Sequence, residues 1–188
     1  MERTISSLIA SADGGDRSAA DTLFANLYAE LHRLAQRQLS RSADELTLGT
    51  TTLLHEAYLA MSSRESEAYV DRGRFMAYAA KVMRGLIIDH ARSRKTQKRA
   101  RHLEVPLLEQ DVAALEDQAG ELERIGAALD ALGAAEPELA QVVDLKFFCG
   151  FSFTEIAAMR GISERTVQRE WRRARLFIHD RVGEAALS

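Results

Sequence analysis

An all-α fold is predicted for this chain of 188 residues, on three observations. Ala, Leu, Arg and Glu dominate the composition, and all four form helices readily. Only two prolines and 11 glycines are present, too few punctuation marks for the many turns of an all-β fold. Apolar residues recur at three- and four-residue intervals along most of the chain, the spacing of one helix face. With 46% hydrophobic residues and 28% charged ones, the chain can bury a core and is not expected to be disordered. Its length suits one or two domains of roughly 70–100 residues each.

Residues 1–17 form an N-terminal segment. From Ser18, the residues Leu23, Leu27, Leu31 and Leu34, joined by Phe24 and Ala35, predict one amphipathic helix running to about Leu39. Ser40 to Thr50 is a polar connection. The string TTLLHEAYLAM places Leu53, Leu54, Ala57, Tyr58 and Met61 on one face of a second helix. A loop, SSRESEAYVDRGR, follows it. Phe75, Tyr78, Ala79, Val82 and Leu86 then define a third helix to about Ser93, with Phe75 and Tyr78 on its apolar, core-facing side. Three helices sharing an apolar side make a bundle.

The net charge of −3, from 25 Lys and Arg against 28 Asp and Glu, conceals segregation. Arg92, Arg94, Lys95, Lys98, Arg99 and Arg101 form a basic tract. Leu103 to Glu123 then carries no Lys or Arg but contains Glu104, Glu109, Asp111, Glu116, Asp117, Glu121 and Glu123. Pro106 breaks any helix early in this stretch. The expected organisation is a helical domain over 18–98, an acidic linker over 99–121 and a second helical domain over 122–184. In the second domain, Leu122, Ile125, Leu129 and Leu132 predict a helix ended by Gly133. Glu138 to Phe148 predicts another, stopped by Gly150, and a third starts at Ser152–Phe153.

Phe153 to Arg175 carries the strongest signal. Thr154 is placed to cap a short helix bearing Ile156, Ala157 and Met159. Gly161 supplies the positive φ of a tight turn. Ile162 plugs the angle between two helices, small Ala157 lets them approach, and Ser163 caps the second, with Val167 and Trp171 facing inward. This is a helix-turn-helix, whose second helix enters a DNA major groove. Arg165, Thr166, Gln168, Arg169, Arg172, Arg173 and Arg175 are its candidate DNA-binding residues. Arginine bridges guanine or clamps phosphate, and glutamine matches an adenine edge. The bland alternative is an arginine-rich solvated face on an ordinary bundle.

Other chemistry finds little support. His32, His55, His90, His102 and His179 are dispersed without metal-ligand spacing, so neither metal nor cofactor is expected. Cys149, the lone cysteine, beside an apolar run, reads as a buried structural thiol. No phosphate-cradling glycine loop occurs, and the chain is not expected to be an enzyme. No signal peptide or membrane span is expected, which points to a soluble cytoplasmic protein.

In order and separation, these strings resemble a bacterial RNA polymerase sigma factor of the extracytoplasmic-function (group 4) type, over about Ser18 to Val182. LLHEAYLAM is similar to the region 2.2 helix that docks on the polymerase clamp. RFMAYAAKVMRGLIIDHARSRKTQKR is similar to the helix that handles the minus-ten promoter element. SFTEIAAMRGISERTVQREWRRARLFI is similar to the minus-thirty-five reader of region 4. The resemblance implies two partners, core RNA polymerase (clamp helices and flap) and promoter DNA. It places Thr51, Thr52, His55, Glu56 and Tyr58 at the polymerase, and Tyr69, Arg84, Asp89, Arg92, Arg94 and Lys95 at the minus-ten element. Tyr69 either stacks on a flipped base or packs on the bundle. The acidic linker either occupies the polymerase's nucleic-acid channel or is a solvated tether. A helix-turn-helix repressor or activator independent of polymerase is the alternative function, and an adaptor is a third.

The chain departs from the resembled family at one place. Where such sigma factors carry carboxylates ahead of region 2.2, this sequence has Gly49, Thr50, Thr51 and Thr52. A phosphothreonine restores negative charge and complements a helix N-terminus. The segment also resembles a subgroup with a pattern like LQPTALVHEAYL, for which control by a Ser/Thr protein kinase is implied, and Thr51 falls on that threonine. Phosphorylation is therefore expected at Thr51, with Thr50 and Thr52 as alternatives, and helix capping by any of the three as the plain reading. An anti-sigma factor is the usual regulator of the class, and a kinase would make it unnecessary. One resting arrangement packs region 4 on region 2 with acidic residues near the basic helices.

Overall fold

The structure, a computed structural model, describes residues 5–13, 16–40, 48–63, 71–102 and 109–185. All regular structure among them is helical, as predicted. Helices α1 (Ile5–Asp13), α2 (Arg17–Asn26), α3 (Tyr28–Leu39), α4 (Thr50–Ser63) and α5 (Arg72–His102) make the first part. They are followed by α6 (Glu109–Ala135), α7 (Pro137–Val143), a π turn (Asp144–Cys149), α8 (Phe153–Arg160) and α9 (Glu164–Ala185).

Four expectations are corrected. The N-terminal segment contains a helix, α1, which buries Leu8 and Ile9. The helix expected from Ser18 to Leu39 is two, because the chain breaks at Leu27 (φ −98°, ψ 4°). Leu27 itself is buried, so core packing overrides the unbroken periodicity. Asp16 starts α2 by accepting from the Ala19 amide at 3.2 Å. The third helix continues past Ser93 through the basic tract to His102. Most of the stretch expected as linker is helix too: α6 begins at Glu109 and runs through Gly133, the expected stop, to Ala135. Its Ala-, Leu- and Glu-rich sequence has the propensity for this. Pro106 and Tyr69 lie outside the described residues.

Beyond α6, Pro137 occupies the first turn of α7, where its missing N–H costs nothing. The helix expected over Glu138–Phe148 widens at Asp144 into the π turn. It ends, as expected, at Gly150, which adopts the left-handed conformation with φ 80°. Phe75 and Tyr78 are buried.

One contiguous core joins both parts. Leu31, Leu34, Leu53, Met76 and Met83 belong to the same buried cluster as Leu132, Leu145 and Ile156. Polar ties reinforce it. Gln38 Nε2 donates to the Ala80 carbonyl at 3.0 Å, and Arg72 pairs with Glu30. The Cys149 Sγ–H donates to the Met76 carbonyl at 3.6 Å. Burial pushes that thiol well above its usual range, which fits the structural role expected of it. The closed packing of the second part on the first buries the face of α5 from which Arg84 projects.

Candidate nucleic-acid interface

The helix-turn-helix assembles from local capping. Ser152, rather than Thr154, caps α8: its Oγ accepts from the Glu155 amide at 3.1 Å while Glu155 Oε2 accepts from the Ser152 amide at 2.7 Å. This reciprocal box satisfies two amides that a helix start leaves open. The Ser152 amide, then its hydroxyl, hold the Glu155 carboxyl below its ordinary range. Thr154 Oγ1 instead donates to Glu164 Oε2 at 2.9 Å across the turn. Gly161 takes the left-handed conformation (φ 64°), and Ser163 Oγ accepts from the Thr166 amide at 3.1 Å to start α9. Ile156, Ala157, Val167 and Ala174 are buried between the helices, while Trp171 is half-buried near Phe153.

Arg160 locks the unit. Its side chain is only 9% exposed and bridges Glu138 of α7, at 2.7 Å, to Glu170 of α9. On the outer surface of α9, Arg165, Arg169, Arg172 and Arg175 are exposed and carry no ion pair among the described residues. Arg173 is exposed but pairs with Glu136 at 2.7 Å. Gln168 is half-buried and donates to Glu164 Oε1 at 2.9 Å, and Thr166 is half-buried against Ser163. The arrangement therefore offers four free guanidiniums along one helix, with Gln168 and Arg173 held until those contacts exchange.

Along α5, the expected minus-ten residues divide. Asp89 and Arg92 are exposed, and Arg94 is half-buried. Lys95 lies in the helix. Arg84, expected to face phosphates, is instead 9% exposed. Its Nη1 donates to Asp144 Oδ1 at 2.7 Å, Nη2 lies 3.7 Å from Asp130, and the Phe148 ring centre is 5.2 Å away. A guanidinium eight residues before Arg92 on a helix projects from the same stripe, and the π turn closes over it. Burial raises Asp144 to about 6, with Arg84 pulling it back down.

The face of α4 is a second surface. Thr51, Thr52, His55, Glu56 and Leu59 are exposed together, over buried Leu53, Leu54 and Ala57. Tyr58 points elsewhere: it donates to Asp21, which raises its pKa, and meets Phe24 edge-on at 5.0 Å. The Leu53 amide bonds to the Gly49 carbonyl at 3.0 Å, so the three threonines stand in the first turn after the cap position. Their hydroxyls make no hydrogen bond among the described residues, so none of them caps α4 there.

A third surface is an apolar groove of about 590 Å³ lined by Ile125, Leu129, Val143, Phe147, Trp171 and Ile178. Nothing in the helix periodicity distinguished it from core, since its residues also pack against buried neighbours. Among the described residues, no helix is long and apolar enough to cross a membrane, and no His, Cys, Asp and Glu group could hold a metal.

Compared with known families, residues 2–184 match the family model for the ECF sigma factor. No curated protein matches the chain.

Proposed function

The chain belongs to the ECF sigma factor family, and on that footing we propose that it is a promoter-specificity subunit whose docking to core RNA polymerase is switched on by threonine phosphorylation. Such factors direct transcription initiation, with RNA polymerase and promoter DNA as partners. In this chain α9 reads the minus-thirty-five element through Arg165, Arg169, Arg172 and Arg175. The basic stripe of α5, with Arg84, Asp89, Arg92, Arg94 and Lys95, handles the minus-ten element. The α4 face with Thr51, Thr52, His55, Glu56 and Leu59 meets the polymerase clamp. The apolar groove between α6, the π turn and α9 receives the flap. The protein does no chemistry of its own.

The observation that carries the switch is the first turn of α4. Thr51 is exposed, sits just after the helix start, and has no carboxylate beside it in sequence until Glu56. An anion there meets open amides and the positive end of the helix. A phosphate adds about −1.5 to −2 charges and one to three charge-assisted hydrogen bonds, enough for roughly a tenfold or greater gain in docking. The modifying agent is a Ser/Thr protein kinase acting in place of an anti-sigma factor.

Titration of core polymerase with unmodified and Thr51-phosphorylated protein tests this. Tight binding is expected only after modification, and Thr51→Ala should remain weak under the same kinase treatment. Equal affinity before and after phosphorylation would refute the switch. A helix-turn-helix repressor acting without polymerase accounts for α8 and α9 but leaves the rest of the match over residues 2–184 without a role.

A further inference from the structure

Helices α5 and α6 pair in opposite directions through two complementary stripes. On α5 the stripe is Arg84, Ile88 and Arg92, each one turn from the next. On α6 it is Asp130, Gly126 and Glu123. Arg84 Nη2 lies 3.7 Å from Asp130 Oδ1, and Arg92 Nε donates to Glu123 Oε1 at 3.0 Å. Between these pairs, Ile88 lies over Gly126 so closely that a Cβ there would be 2.5 Å from Ile88 Cδ1. Gly126 is therefore a notch that receives the end of the Ile88 side chain, which must shift to admit a Cβ. From the far side, the Asp144 carboxylate completes the enclosure of Arg84 at 2.7 Å.

We propose that α6 is a built-in lid on the DNA-facing stripe of α5, in which Glu123 and Asp130 stand where promoter phosphates bind and Gly126 sets the register. The inference rests on the reading of Arg84 and Arg92 as promoter contacts. In the free protein the lid lies closed, and α5 engages duplex only after α6 has moved off. The Glu123 and Asp130 carboxylates then compete for cations that would otherwise hold any DNA, at every sequence, without polymerase. The hydrophobic notch supplies what charge alone lacks, a single alignment of one helix on the other.

The test uses full-length protein and a 30-bp duplex without promoter sequence, with binding followed by fluorescence anisotropy across a salt series. Gly126→Leu drives a side chain into Ile88 and should part the helices. Freeing Arg92 for phosphate contact, with Arg84 still held by Asp144, should steepen the slope of log affinity against log salt by about 0.9 and tighten binding several-fold near 100 mM salt. Glu123→Gln with Asp130→Asn removes the carboxylates without added bulk and should act in the same direction. Asp21→Asn with Asp180→Asn makes the same charge change at exposed sites outside α5 and α6, and should leave the slope unchanged. X-ray scattering should show a larger radius of gyration for Gly126→Leu than for the wild type. Wild-type slopes and dimensions in both lid variants, or an equal gain in the charge control, would overturn the lid. Failure of core polymerase to initiate with the protein, alongside a steeper slope in the lid variants, would instead remove the promoter role and leave the lid intact.

Discussion

Replacing Arg84 by Met should be among the most costly single changes in the protein, and its cost should depend on pH in a particular direction. The Arg84–Asp144 pair is 2.7 Å long with each side chain about 10% exposed. Removing one partner of a buried pair costs about 3–5 kcal/mol, because the other charge is stranded away from water. In the wild type, burial already raises Asp144 to about 6 from 3.8 despite Arg84. Without Arg84, the groups still facing it are Lys81 on α5 and Asp130 on α6, so its pKa climbs further. The folded variant then holds a proton that the unfolded chain releases near 4. Stability must therefore fall as pH rises, and recover as pH drops, by up to 1.36 kcal/mol per pH unit. Between pH 7 and pH 5, Arg84→Met should regain up to about 3 kcal/mol on this basis. The wild type, titrating near 6, should gain only about half as much from this group. Urea denaturation of the full chain at pH 5, 6 and 7 measures all of these. Arg84→Met combined with Asp144→Leu, which removes both charges, should recover most of the loss and lose the pH dependence. A single-variant cost below about 1 kcal/mol at pH 7, the range of exposed pairs, would refute the reasoning, since it would mean that the π turn does not close over α5 in solution.

Three further outcomes follow from local geometry. Ser152→Ala should cost about 1 kcal/mol at neutral pH by thermal melting. That deficit should shrink as pH falls below 4.5, because protonation of Glu155, whose carboxyl is held low by Ser152, already removes half the capping box in the wild type. Arg169→Ala should reduce the salt slope of duplex binding by about 0.9 if the residue contacts one phosphate, and relax base preference instead if it reads an edge. Gly150→Ala should destabilise by more than about 1 kcal/mol, because its φ is 80° and a Cβ would collide with the Arg37 guanidinium. Restoration by Arg37→Ala, only in part, would be seen in the same denaturation assay.

Much of the fold could be read from periodicity because each helix carries its own apolar stripe. Leu53, Leu54 and Ala57 on α4, and Ile156 with Val167 in the helix-turn-helix, are buried as their spacing predicts. The turn was legible through Gly161, the one residue there that adopts positive φ at no steric cost. What periodicity missed depends on partners distant in sequence. Leu27 keeps its helical spacing yet marks a break, which only the core it enters can decide. The acidic stretch reads as a linker, in the polymerase channel or in solvent, whereas Glu123, midway along α6, faces Arg92 thirty-one residues away. Arg84 read as a free cation on the same footing as Arg92, since nothing near it in sequence announces Asp144, sixty residues on. The exposed guanidiniums of α9 are legible, and so is a partner for Gln168 in Glu164, one turn earlier on the same helix. The threonines at the start of α4 stand out by composition, but which of them are exposed, Thr51 and Thr52 rather than half-buried Thr50, depends on how the helix lies on the core.

The Arg160 bridge has a mechanical consequence. By gripping α7 and α9 from the end of α8, it welds three helices into one stiff head, and Gly161 contributes bend rather than hinge. Travel toward a promoter must therefore happen upstream of Pro137, where the backbone turns at Glu136 (φ −141°, ψ 78°) between α6 and α7. The head swings as a whole or stays put, and on arrival only the Gln168 and Arg173 contacts remain to be exchanged.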